Sequence, residues 1–283
     1  YFLLKFTRIS EFGVDFPASI FSILSIYYFI KFNETNKETR KKSFFYLNFT
    51  FAIFSILIKL STAPIIILPF YLYLSNFKNL KFYIFKVKFF VIYTLSFAFF
   101  IQQFIYTGCF LFPTNLTCLE VSWFNIDSIS LSKQLELTNK SYSVAKDIYS
   151  PEEYLKNFTW FSFWIKRNFI EILEHLMTMI LPLLIFFFIL KKKEKNTLVF
   201  KKRLIIYSLV IISLIFWLNF SPVFRFATHI FVTLTFLIFS SILIAKEFSK
   251  KKFMIFISIF LLFNFSKNIL RTNEVEKLFI GTQ

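Results

Sequence analysis

FFVIYTLSFAFFIQQFIY, residues 89–106, runs for 18 positions without a charged side chain. A helix needs about 20 residues to cross the roughly 30 Å hydrocarbon core of a bilayer, and fewer when its ends are snorkelled or the bilayer thins. Residues 89–106 therefore predict a membrane-spanning helix. Runs of the same kind recur at 15–30, 43–58, 63–77, 169–190, 204–220, 226–245 and 253–267. The second and third of these eight are short and fit either two spans or one broken hairpin. The expected fold class is all-α: a polytopic membrane protein with about eight transmembrane helices. Its parts are a membrane domain over 1–106, an extracytoplasmic loop over 107–168, and a second membrane domain over 169–283.

Composition points the same way. Hydrophobic residues fill 57% of 283 positions, with 47 Phe, 3 Gly and a mean hydropathy of +0.63. A soluble domain runs at about 45–50% apolar and could not bury this excess. The bias toward Phe, Lys, Ile and Asn follows A/T-rich codons, so single Phe or Asn residues, and the N-x-S/T triplets, are poor evidence for function. The chain opens on Tyr1 rather than Met and ends at Gln283, which reads as an internal piece of a longer protein, so no signal peptide can be argued.

The basic residues set the orientation. Segments 31–42, 75–88, 191–203 and 246–252 hold 5, 4, 7 and 4 Lys or Arg, 20 of the chain's 33, and 4 of its 16 acids. Cytoplasmic loops are enriched in Lys and Arg. Eight crossings put all four segments on one side and the 107–168 loop on the other, in a bacterial inner membrane. The net charge of +17 is thus mainly a topology signal. Nucleic-acid binding would need basic residues interleaved with aromatics on a soluble face and is not expected. No Gly-rich phosphate loop, HExxH, GxSxG or CxxC occurs.

Function is expected on the outer side. Cys109 and Cys118 open the long loop, and an oxidising compartment permits a structural disulfide between them; two unrelated thiols fit the sequence equally well. Ser150-Pro151-Glu152-Glu153 reads as a helix start, with Ser as N-cap and Pro at the first helical position. Beyond it Tyr154, Phe158, Phe161 and Ile165 recur at helical spacing beside Trp160 and Trp164. That pattern fits a helix lying in the membrane interface over 151–168, or an amphipathic helix packed on the outer loop.

Ionisable residues at the outer ends of the spans are the sharper signal, because charge near hydrocarbon is costly. They are Arg8, Glu11 and Asp15 before the first span, Lys59 in LIKLSTAP, Glu171, Glu174 and His175 on one face of the fifth span, and Arg225 with His229 in NFSPVFRFATHIF. The plain alternative for each is a charge that marks the water boundary. Glu171 and His175 make a weak metal pair, so no metal is assigned, although the donor set leaves room for a divalent ion. Arg225, framed by Pro222, Phe224 and Phe226, is suited to hold a phosphate bidentately.

RISEFGVDFP (8–17), KLSTAP (59–64), TGCFLFPTNLTCLEVSW (107–123) and SPVFRF (221–226) together resemble the motif series of a family of bacterial multi-spanning membrane proteins related to the GT-C glycosyltransferases. Glu11, Gly13, Asp15, Lys59, Pro113 and Arg225 carry the resemblance, whereas Cys109 stands where the pattern has an aromatic residue. The resemblance implies an enzyme that transfers a sugar from a polyprenyl-phosphate donor to a cell-envelope acceptor on the outer side. Arg225 and Lys59 would serve the lipid phosphate. Glu11 or Asp15 would act as base or position substrate, Glu171, His175 and His229 would be accessory, and the 151–168 helix would gate lipid access. The principal GT-C carboxylate would lie upstream of Tyr1. The rival classes are a surface-polysaccharide polymerase or ligase, which would carry its essential arginines in the outer loop, and a transporter or lipid flippase, which favours Gly/Pro-broken helices and midplane charges.

Overall fold

The computed structural model describes residues 13–112, 117–119, 121, 123, 128–189, 191–192, 204–220, 222–227, 229–235, 237, 246–247 and scattered positions from 251 to 269. Of Glu174, His175 and Arg225 only the backbone is described, and Arg8, Glu11 and Pro113 lie outside the described residues.

The fold is all-α. Its helices are α1 (Asp15–Glu34), α2 (Glu38–Ile58), α3 (Ile67–Ser75), α4 (Phe77–Leu80), α5 (Val87–Thr107), α6 (Ser128–Asn139), α7 (Pro151–Leu155), α8 (Thr159–Ile189) and α9 (Leu204–Phe220). Short 3-10 turns lie at Leu60–Ile66, Tyr142–Val144, Lys156–Phe158 and Phe224–Ala227. The described positions between 251 and 269 are helical. Two-residue strands Lys191–Lys192 and Lys246–Glu247 pair antiparallel, with Lys191 opposite Glu247.

Among the described residues two helices, α2 and α5, each of 21 residues, are long and apolar enough to cross a membrane. Residues 60–75 and 204–220 form shorter apolar helical stretches. On α5 Phe89 and Ile92 are buried, whereas Phe90, Val91, Phe97 and Ile105 point away from the protein and are all more than half exposed.

Helices α1 and α2 meet on small and polar residues. Ala18, Ser22 and Ser25 recur along one face of α1, where short side chains let two backbones come close. Across the seam Asn48 Nδ2 donates to Ser25 O at 2.7 Å and to Ser25 Oγ at 2.9 Å, while Ser25 Oγ donates to Asn48 O at 3.1 Å. Ser22 Oγ lies 2.7 Å from Ser55 Oγ, and Ser55 Oγ reaches Ala18 O at 2.8 Å. The hydrophobic face of α1 continues through Ile26, Phe29 and Phe32 into a core shared with Phe45, Leu68, Phe89 and Ile206.

The chain from 59 to 75 is one broken element. Helix α2 stops at Ile58, Lys59 is extended (φ −153°, ψ 115°), and a 3-10 turn containing Pro64 follows before α3 begins. Proline has no N–H and its ring clashes with the preceding turn, so an uninterrupted α-helix is disfavoured there. At the far end of α5, Gly108 takes φ 68°, the left-handed cap that a side chain resists.

Residues 151–168 are not one continuous helix, as the sequence led us to expect, but two helices with a break between them. Helix α7 begins with a capping box in which Ser150 and Glu153 satisfy each other's backbone, and it ends at Leu155. A 3-10 turn follows, Phe158 adopts a left-handed backbone (φ 57°), and α8 then runs unbroken from Thr159 through the expected fifth span. Tyr154, Trp160 and Trp164 are buried at 0%, 2% and 4% exposure, packed in the protein core rather than spread on a headgroup surface. Tyr154 donates its hydroxyl to Lys140 O at 2.7 Å, which ties α7 to the end of α6. Tyr154, Trp160 and Trp164 thus pack inward, while Phe158 and Phe161 of the same stripe stay exposed at 57% and 37%.

Candidate functional site

Asp15 opens α1, where the helix dipole favours a carboxylate, and the chain arrives through Gly13 at φ 45°. Its carboxylate is ion-paired with Lys59, which the break after α2 brings to the same level; the two side chains are 7% and 14% exposed. Thr62 anchors the Lys59 turn, its hydroxyl donating to Lys59 O at 2.9 Å and accepting from Ser55 Oγ at 2.8 Å. The Lys59 ammonium also lies 3.4 Å from the ring centroid of Phe226.

Phe226 belongs to the turn that carries Arg225, and two tryptophans clamp that turn. Trp164 Nε1, from α8, donates to Pro222 O at 2.7 Å, and Trp217 Nε1, from α9, donates to Val223 O at 2.8 Å. Phe224 stacks on Trp164 with centroids 5.9 Å apart and planes 12° apart. A buried indole N–H normally finds an acceptor, and here both acceptors are carbonyls of one turn. The turn is therefore held rigidly although it contains little regular secondary structure.

His229 is buried within electrostatic reach of Lys59, and its backbone carbonyl accepts from Thr233 Oγ1 at 2.7 Å. Asp15, Lys59, Phe226 and His229 thus come together from three distant parts of the chain. Glu171 is exposed on α8.

Beside this cluster lies a cavity of about 520 Å³. Its walls come from the end of α2 and the turn after it (Leu57–Ser61), from Phe99 and Gln103 of α5, from α6, and from Phe216, Trp217 and Phe220 of α9, with Phe226. Lys59 lines the cavity; Asp15 does not. The α6 contribution is Ser132, Leu135, Glu136 and Asn139, a spacing that puts them on one helical face. Glu136 is ion-paired with Lys140, whose ammonium sits 4.9 Å from the Trp160 ring centroid. The Ser61 hydroxyl is buried with no hydrogen-bond partner among the described residues.

Cys109 and Cys118 are joined in a disulfide at the C-terminal end of α5, and Leu119 N donates to Gly108 O at 2.9 Å across the same loop. The bond closes the segment from which Phe112 reaches the cavity.

Sequence reasoning missed Ser61, Gln103, Ser132, Glu136 and Asn139. A signal existed for Gln103, since Gln102-Gln103 is a polar interruption near the end of an otherwise apolar span. The α6 residues gave none, because SISLSKQLELTN reads as an ordinary solvated helix.

Residues 1–232 match the family described as Domain of unknown function (DUF8201). The chain belongs to this family. The DUF8201 match ends just beyond Arg225 and His229, so it takes in every residue of the cluster and of the cavity wall. No curated protein and no solved structure matches the chain.

Proposed function

We propose that this DUF8201 protein is a multi-spanning protein of a bacterial inner membrane that takes a polyprenyl-phosphate-linked sugar on its outer face and transfers the sugar to a cell-envelope acceptor. The cavity carries this reading. It combines a cation, aromatic walls and hydrogen-bonding side chains in a space large enough for a sugar phosphate, the usual make-up of a small-molecule site.

The membrane part rests on the eight apolar runs, on the outward-facing apolar side chains of α5, and on the pairing of Lys191–Lys192 with Lys246–Glu247. That pairing joins two of the basic loops assigned to the cytoplasm. The cavity is built from the opposite ends of the spans, where a lipid phosphate sits at headgroup depth.

In the proposed reaction the departing polyprenyl phosphate gains negative charge as the sugar leaves, and cations at that point lower the barrier. Lys59 and Arg225 serve it. Asp15, paired with Lys59 and away from the cavity, holds that ammonium in position, and Glu11 or Glu136 remains as the carboxylate for the acceptor hydroxyl.

The test is release of polyprenyl phosphate from polyprenyl-phosphate-linked sugars by the purified protein in nanodiscs with cell-envelope acceptors. Activity that is lost in Lys59→Ala and sharply reduced in Arg225→Lys supports the proposal, since a point charge cannot reproduce the guanidinium fork. A folded protein that neither binds nor turns over any such lipid overturns it. The orientation has its own check: a cysteine at Ser128 should label from outside and one at Lys192 should not, and the reverse pattern would overturn it.

A further inference from the structure

Resting on the membrane part of the proposed function, we infer that residues 77–88, which join α3 to α5, lie in the headgroup layer of the cytoplasmic leaflet and bind anionic phospholipids such as phosphatidylglycerol. The stretch FKNLKFYIFKVK mixes two kinds of exposed side chain. Lys78, Lys81 and Lys86 are exposed, and among them Phe82, Phe85 and Val87 are at least three-quarters exposed. A concentration of large apolar side chains so far out of the protein marks a contact surface. Lysine stems can lie along an apolar layer while their ammonium groups stay in water. Rings at the acyl boundary with cations among the headgroups satisfy both groups at once.

The fold holds these rings outward. Leu80 and Tyr83 are buried and pin the segment to the core, and the Tyr93 hydroxyl donates to Ile84 O at 3.0 Å. Lys86 N donates to Tyr83 O at 3.2 Å and Phe89 N to Lys86 O at 2.9 Å, which closes the turn into α5. The Lys81 ammonium lies 4.7 Å from the Phe82 ring centroid, so cation and ring reach the surface together. The exposed apolar surface continues on both sides of the segment, through Phe70 and Leu74 of α3 and Phe90 and Val91 of α5.

Charge selects the partner. No Asp or Glu occurs from Thr39 to Leu119. A second copy docked through the same face would set these lysines against one another, whereas anionic headgroups neutralise them. The basic segment 31–42 differs, because it also carries Glu34 and Glu38 and its one aromatic residue, Phe32, is buried.

The experiment attaches a bimane through Phe82→Cys, at a position clear of the core; both native cysteines are held in the disulfide. The labelled protein is placed in phosphatidylcholine nanodiscs that carry an equal small fraction of phosphatidylglycerol or phosphatidylcholine with a nitroxide high on the acyl chain. Both lipids should quench the bimane, phosphatidylglycerol about fivefold more efficiently, the effect of one basic residue at an anionic surface. Lys78→Gln, Lys81→Gln and Lys86→Gln together should bring phosphatidylglycerol down to the phosphatidylcholine level while phosphatidylcholine still quenches. A bimane attached through Asn36→Cys, in segment 31–42, should show no such preference. Absence of quenching by either lipid, equal quenching with the lysines intact, a preference that survives the triple variant, or the same preference at position 36 would overturn the inference and leave the proposed function standing. Release of the protein from membranes by alkaline carbonate would overturn both.

Discussion

Lys59 and Phe226, far apart in sequence, form a cation–π pair with the ammonium 3.4 Å from the ring centroid. A desolvated pair of this kind contributes about 2 kcal/mol, against about 0.5–1 at an exposed site. Phe226→Leu should therefore lower stability by about 2 kcal/mol, read as a fall in Tm in detergent, while Phe226→Trp should retain most of it. Equal losses from both would mean that the ring acts as filler.

Asp15 faces the same ammonium. Removing one partner of a buried pair leaves an uncompensated charge, at a cost of about 3–5 kcal/mol, whereas replacing both is often close to neutral. Asp15→Asn and Lys59→Met should each destabilise strongly, and the double variant should be more stable than either single one. Additive losses in a double-mutant cycle would show that the pair is not coupled.

The two indole hydrogen bonds make the Arg225 turn dependent on Trp164. Trp164→Phe keeps a ring against Phe224 but leaves Pro222 O without its donor, at a cost of about 1–3 kcal/mol for a buried acceptor. If Arg225 serves the lipid phosphate, the variant should also lose transfer activity beyond its loss of folded protein. A full specific activity per folded molecule would separate the clamp from function.

The all-α class was legible in the sequence because long uncharged runs of helical length recur along the chain, and α9 was legible to its termini. Lys59 and Asp15 stood out as charges next to apolar runs, yet their pairing was not readable, since it depends on how α1 meets α2 through Ser22, Ser25 and Asn48. The stripe from Tyr154 to Trp164 suggested a membrane interface because amphipathic periodicity is the same whether the apolar side meets lipid or protein. Trp164 is turned into the protein by its bond to Pro222, a contact across 58 positions that local periodicity cannot show, whereas Phe158 and Phe161 stay exposed. Glu136 and Asn139 were silent, for a polar helix face gives no sign that it covers a cavity.

Acid should loosen α7 before the long helices. Hydrogen bonds from Ser150 hold the Glu153 carboxyl below the ordinary glutamate range, and the Lys133 ammonium does the same for Glu152. Both folded-state values are depressed, so their contribution is fully present above the ordinary value of 4.5 and is lost as pH falls through the depressed values. Hydrogen exchange in α7 should speed up as pH drops below 4.5, after correction for the intrinsic rate, and Ser150→Ala should weaken that dependence. A corrected rate that does not change with pH would remove the capping box from the stability of this segment.

Photo-crosslinking with a polyprenyl-phosphate sugar that carries a diazirine on the sugar tests the proposed site most directly. Mapped adducts should fall on Leu57–Ser61, Gln103, the Ser132–Asn139 face of α6 and Phe216–Phe226, and excess unlabelled lipid should suppress them. Adducts confined to the outward face of α5, at Phe90, Val91 and Phe97, would contradict the site and leave the cavity without its ligand.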